Sequence, residues 1–111
     1  MLSYTIDGYS IYHYSQDNTY GQSAVINLHI GNLAVASLYF YRDGSPIPAS
    51  GTSPDGKIIY ARFHESRFAE IVETLRKEKP ISVYFNPTNK WAWVMVGTGL
   101  NPEPVGEEEG R

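Results

Sequence analysis

The sequence predicts one α+β domain: a mostly antiparallel, meander-like sheet of about six or seven strands, strongly bent or partly closed, with one helix packed on one face. Three observations carry that expectation. Short runs rich in Val, Ile, Tyr and Phe alternate apolar with polar residues, the period of a half-buried strand. Turn pairs, Asp7-Gly8 and Gly31-Asn32, punctuate those runs where hairpin tips belong. One stretch alone, Glu65 to Pro80, carries an apolar stripe at helical spacing. A fully closed barrel is the alternative. The 111 residues suit a single domain, placed at 1–100, with an irregular acidic C-terminal tail at 101–111.

In "LSYTIDGYSIYHY" a turn at Asp7-Gly8 sets Ile6 against Tyr9, Tyr4 against Ile11 and Leu2 against His13 on an apolar face. Ser3, Thr5, Ser10, Tyr12 and Tyr14 then share the wet face. "SQDNTYGQ" is a polar turn region containing Asp17. In "SAVINLHIGNLAVASLYFYRDG" regular pairing about Gly31-Asn32 gives Ala24, Ile26, Leu28, Ile30, Leu33, Val35, Ser37, Tyr39 and Tyr41 one face, the expected core face. Val25, Asn27, His29, Ala34, Ala36, Leu38 and Phe40 take the other. Arg42 to Gly56 is a long loop dense in Gly, Pro and Ser; a disordered connector outweighs a functional lid as its reading.

Lys57 to His64 reads as a strand. In the helix that follows, Phe68, Ile71, Val72 and Leu75 line one side, Ser66 or His64 opens it, and Pro80 stops it. The closing hairpin, "ISVYFNPTNKWAWVMV", has its four-residue tip at Asn86 to Asn89, which sets Tyr84 against Trp91. Ile81, Val83, Phe85, Ala92, Val94 and Val96 then turn toward the helix, while Ser82, Tyr84, Trp91, Trp93 and Met95 turn away.

Composition narrows the function. There is no cysteine, which removes disulfides, thiolate zinc sites and cysteine nucleophiles and fits a reducing compartment such as the cytoplasm. The N-terminus lacks the basic start and apolar run of a signal peptide, and the longest apolar run is too short for a membrane span. A net charge of −3 repels phosphates, so nucleic acid is a disfavoured partner. His13, His29 and His64 show no metal-ligand spacing, Asp7, Asp43 and Asp55 each precede a turn glycine, and no Walker or nucleophile-elbow motif occurs. No cofactor, metal or catalytic residue is therefore expected, and a non-catalytic role outweighs an enzyme.

What remains is aromatic surface. Nine Tyr, two Trp and four Phe stand in the chain. Tyr12, Tyr14, Tyr84, Trp91 and Trp93 fall on outward faces and form the candidate interaction surface. Ordinary strand preference for aromatics explains them equally well. The function expected first is an interaction module that self-associates as a homodimer through this aromatic face. The alternative is a protein that binds a ligand, peptide or single strand on the same face, with the 42–56 loop as a lid.

The ending "EPVGEEE" (Glu103 to Glu109), after "KPISVYFN" and "WAWVMVGTG", resembles small uncharacterised bacterial proteins that close on an EPVGE-type motif. The resemblance covers about the last forty residues and implies no activity, cofactor or site. Hairpins followed by a helix also resemble, in element order alone, the single-stranded nucleic-acid-binding sheets of the Whirly kind; the acidic charge and the extra hairpin after the helix depart from that pattern.

Overall fold

A computed structural model of the chain describes residues 1–16 and 19–97. Asp17 and the 101–111 tail lie outside the described residues. The elements run β1 (Leu2–Ile6), β2 (Gly8–His13), β3 (Gln22–Ile30), β4 (Leu33–Tyr41), β5 (Gly51–Thr52), β6 (Ile59–His64), α1 (Phe68–Lys77), β7 (Ile81–Asn86) and β8 (Trp91–Val96). The α+β class and the antiparallel bias are as expected; among the described strands only β4 and β6 pair in parallel. The single bent sheet is not. The strands form two sheets, in the orders β1-β7-β8 and β2-β3-β4-β6-β5.

Asp7 explains the division. The expected hairpin at Asp7-Gly8 does not form. The chain runs from β1, which pairs with β7, directly into β2, which pairs with β3. The Asp7 amide donates to the His29 carbonyl at 3.0 Å, and its carboxylate accepts the Gly31 amide at 3.0 and 3.1 Å. Those bonds tie the crossing to the tip of the neighbouring hairpin, so this Asp-Gly pair marks a change of sheet.

β3 and β4 do turn at Gly31-Asn32. Gly31 holds a φ of +59°, the positive value at the first central position that a two-residue tip requires. Regular pairing soon breaks. His29 faces Ala34 but Leu28 faces Ala36, so Val35 is an inserted residue, a β-bulge. One extra residue inverts the parity of the rest of β4. Ala36, Leu38 and Phe40, expected outside, are fully buried against Ala24, Ile26 and Leu28. Tyr39 and Tyr41, expected inside, take the opposite face. Ile30 and Leu33, expected in the core, are 39% and 68% exposed at the tip. A second shift, at Ser23, sets Gln22 opposite Tyr41.

α1 buries Ile71, Val72 and Leu75, each contributing about 1.5–3 kcal/mol by leaving water. Phe68 meets Phe40 edge to face at 5.1 Å. Neither proposed opener caps the helix with its side chain. The Asp43 carboxylate, from the long loop, accepts the Ser66 amide at 3.1 Å in the 3-10 turn Glu65–Arg67 that leads into α1. The inner faces of both sheets and α1 close one continuous core.

The last hairpin keeps its predicted parity with a different register. Its tip is Pro87 to Lys90, because Asn86 stays in the strand and its side-chain oxygen accepts the Thr88 amide at 2.9 Å. Tyr84 therefore faces Trp93, not Trp91. A displacement of two residues leaves every side chain on its expected face, so Ile81, Val83 and Phe85 reach the core.

Candidate functional site

The five candidate aromatics divide between the sheets. Tyr84, Trp91 and Trp93 share the outward face of β7 and β8. Tyr84 and Trp93 stack at 5.3 Å with ring planes 5° apart, while Trp91 is 69% exposed beside them. This is a flat platform. Tyr12 and Tyr14 belong to the other sheet, at and just beyond the end of β2. Both are exposed. Tyr14 reaches a concave site on the outward face of the five-stranded sheet, and Tyr12 does not line it.

That site is a cavity of about 580 Å³. Tyr14, Tyr20, Tyr39, Tyr41 and Tyr60 supply its rings, Gln22 and Arg62 its other polar groups, and Pro46 and Pro48 its outer wall. The volume falls in the range of small-molecule sites, about 300–1,000 Å³. The bulge at Val35 is what brings Tyr39 and Tyr41 here. Parallel pairing of β4 with β6 then places Tyr60 beside Ser37 and Arg62 beside Tyr39. Tyr39 and Tyr60 meet edge to face at 5.8 Å. The Arg62 guanidinium lies over the Tyr39 ring, 5.9 Å from its centroid.

Polar groups converge on two side chains. The buried Tyr41 hydroxyl oxygen accepts from Gln22 Nε2 at 3.0 Å and from Arg62 Nε at 3.2 Å. Arg62 Nη1 donates to the Ala49 carbonyl at 2.6 Å, and its amide donates to Ser50 Oγ at 3.2 Å. Burial pushes the Tyr39 hydroxyl above its ordinary pKa; a Ser37 hydrogen bond and the Arg62 charge oppose that shift without cancelling it. Tyr39 is thus a neutral donor throughout the physiological range.

The long loop is built, not loose. His64 Nε2 hydrogen-bonds the Ser45 carbonyl at 2.9 Å, β5 pairs with β6, and Arg62 holds Ala49 and Ser50. At its far end the Ser53 hydroxyl donates to Asp55 at 2.5 Å, as does the Lys57 amide at 3.0 Å. The Ser53 bond leads in holding the Asp55 carboxyl below its usual pKa. Pro46 and Pro48 are fixed as a wall by these anchors.

A larger cleft, about 850 Å³, lies at the C-terminal end of α1 between Tyr9, Leu75 and Pro80. Its charges are of both signs; Asp7 holds Gly31, and Lys77 pairs with Glu73 at 2.5 Å. Tyr9 is the one aromatic ring among its described lining residues, so the smaller, tyrosine-lined cavity is the better candidate for a ring-bearing ligand.

The histidines are structural in their contacts. His13 packs edge-on to Phe68 at 5.2 Å, His29 Nε2 lies 3.2 Å from Ser10 Oγ, and His64 anchors the loop. Among the described residues no group of three His, Asp or Glu side chains could hold a metal ion, and no helix is long and apolar enough to cross a membrane. No family model, curated protein or solved structure matches the chain.

Sequence reasoning missed Tyr20, Gln22, Tyr39, Tyr41, Tyr60 and Arg62. One signal was present: in "LYFY" a phenylalanine stands between two tyrosines, and the ring without a hydroxyl is the better core residue.

Proposed function

We propose that this protein is a non-catalytic binding module that receives a ring-bearing ligand in the tyrosine cavity under the 42–56 loop. One observation carries the reading: the loop prolines and five tyrosines line an open concave site into which hydrogen-bonded polar side chains converge. Tyrosine faces suit flat or apolar groups, and an edge-to-face pair such as Tyr39–Tyr60 presents one ring face and one ring edge to an incoming ring. Amide chemical-shift mapping against a panel of small aromatic compounds tests this. Shifts should cluster at Tyr39, Tyr41, Tyr60 and the Pro46–Ser50 segment, and Tyr60→Ala should abolish them. A panel that perturbs nothing there removes the reading.

The exposed indole of Trp91 beside the Tyr84–Trp93 stack favours a second reading, self-association of two copies through that platform. Light scattering should then give about twice the 12.5 kDa chain mass, and Trp91→Ala should give a folded monomer. A wild-type mass of one chain at high concentration discards it.

A further inference from the structure

We infer that the ligand of the tyrosine cavity carries an anionic group, a carboxylate or phosphate, which docks on Arg62 while its ring lies against Tyr39 and Tyr60. The inference rests on the cavity reading above and adds the chemical class of the occupant.

Arg62 is half-buried, and its guanidinium is held in place from two sides by the Tyr41 hydroxyl and the Ala49 carbonyl. Neither partner is charged. No described Asp or Glu forms an ion pair with it; Glu70 and Glu73 pair instead with Arg67 and Lys77 at the helix. A guanidinium has five N–H donors in a planar fork matched to an oxyanion, and two are used here by side-chain bonds to neutral acceptors. A partly desolvated cation that no described carboxylate neutralises is costly, and an incoming anion relieves that cost.

The rest of the lining agrees in sign. The Tyr41 oxygen accepts two N–H groups, which occupies its lone pairs and leaves its own proton to donate. Tyr39 is kept protonated by burial. None of the described lining residues is Asp or Glu, although the whole chain is net −3. Among the described residues, donors and rings line this cavity around Arg62, the one Lys or Arg that is not exposed, and that lining selects an anion over a neutral or cationic ring.

Calorimetric titration with benzoate, phenyl phosphate and benzyl alcohol separates the parts, run on the wild type and on Arg62→Gln and Arg62→Lys. Benzoate or phenyl phosphate should bind the wild type at least about tenfold tighter than benzyl alcohol, the fold-change of one charge-assisted hydrogen bond. Arg62→Gln should bring the anions down to the alcohol, and Arg62→Lys should recover only part of the difference. Whichever anion binds tighter identifies the headgroup. Should benzyl alcohol bind as tightly as both anions, the inference is overturned while the cavity reading stands, and the wild-type comparison gives that answer even if an Arg62 variant fails to fold. Binding by none of the three overturns both.

Discussion

The two outward sheet faces share an aromatic composition and differ in what can be done with it. On β7 and β8, Tyr84 and Trp93 lie flat on one another, with Trp91 beside them and 69% exposed. On β4 and β6, Tyr39 and Tyr60 meet edge to face under Pro46 and Pro48, with Arg62 anchored between strand and loop. Strand parity alone makes the first surface. The second needs a bulge, a parallel crossover and a pinned loop. Aromatic content marks where contact is possible; concavity and oriented donors mark where recognition is specific.

The comparison breaks first in the core both faces share. Phe40 is fully buried, stacked on Phe63 at 5.6 Å and set edge-on to Phe68. Phe40→Ala should cost about 3–5 kcal/mol in chemical denaturation, whereas Tyr39→Ala, one residue along on the outer face, should cost far less. Equal losses would mean that the two residues do not lie on opposite sides of the sheet.

Smaller effects sharpen it. Trp93→Ala removes the stack on Tyr84 and should cost about 0.5–1.5 kcal/mol beyond the loss of buried area. Trp91→Ala should stay within about 0.5 kcal/mol, because the indole is mostly in water. A large loss at Trp91 with a small one at Trp93 would reverse their roles. Asp7→Ala releases the Gly31 amide from the sheet crossing and should cost about 1 kcal/mol.

The smallest effect is a titration. Tyr39 has its folded-state pKa raised, chiefly by burial, so its stabilising contribution is complete below the unfolded value near 10 and is lost as pH rises through the folded value. Tyrosinate absorbance should show a fraction ionising above the ordinary tyrosine value, and Tyr39→Phe should remove that late fraction. An unchanged titration curve in that variant would contradict the assigned burial.

Much of this was legible in the residues. The helix stripe Phe68, Ile71, Val72 and Leu75, the Gly31-Asn32 tip and the inward aliphatics of the closing hairpin follow from period and turn chemistry. The cavity was not, because each of its determinants is non-local. A bulge at Val35 leaves no mark in local alternation, yet it exchanges the two faces of β4 from Ala36 onward. Parallel pairing of β6 with β4 brings Arg62 to Tyr39 across a loop whose anchors, Asp43, Ser45 and Ala49, look like ordinary turn residues. Asp7-Gly8 misled for the same reason: its carboxylate is bonded to an amide 24 residues away.

The central claim is that Val35 turns Tyr39 outward while Phe40 turns in. Nuclear Overhauser contacts among the aromatic side chains test it directly. The account predicts Tyr39 ring protons close to those of Tyr60 and to the Arg62 side chain, and Phe40 ring protons close to Phe63 and Phe68. Contacts from Tyr39 to Phe63 or Phe68, with Phe40 silent toward both, would contradict it and remove the cavity.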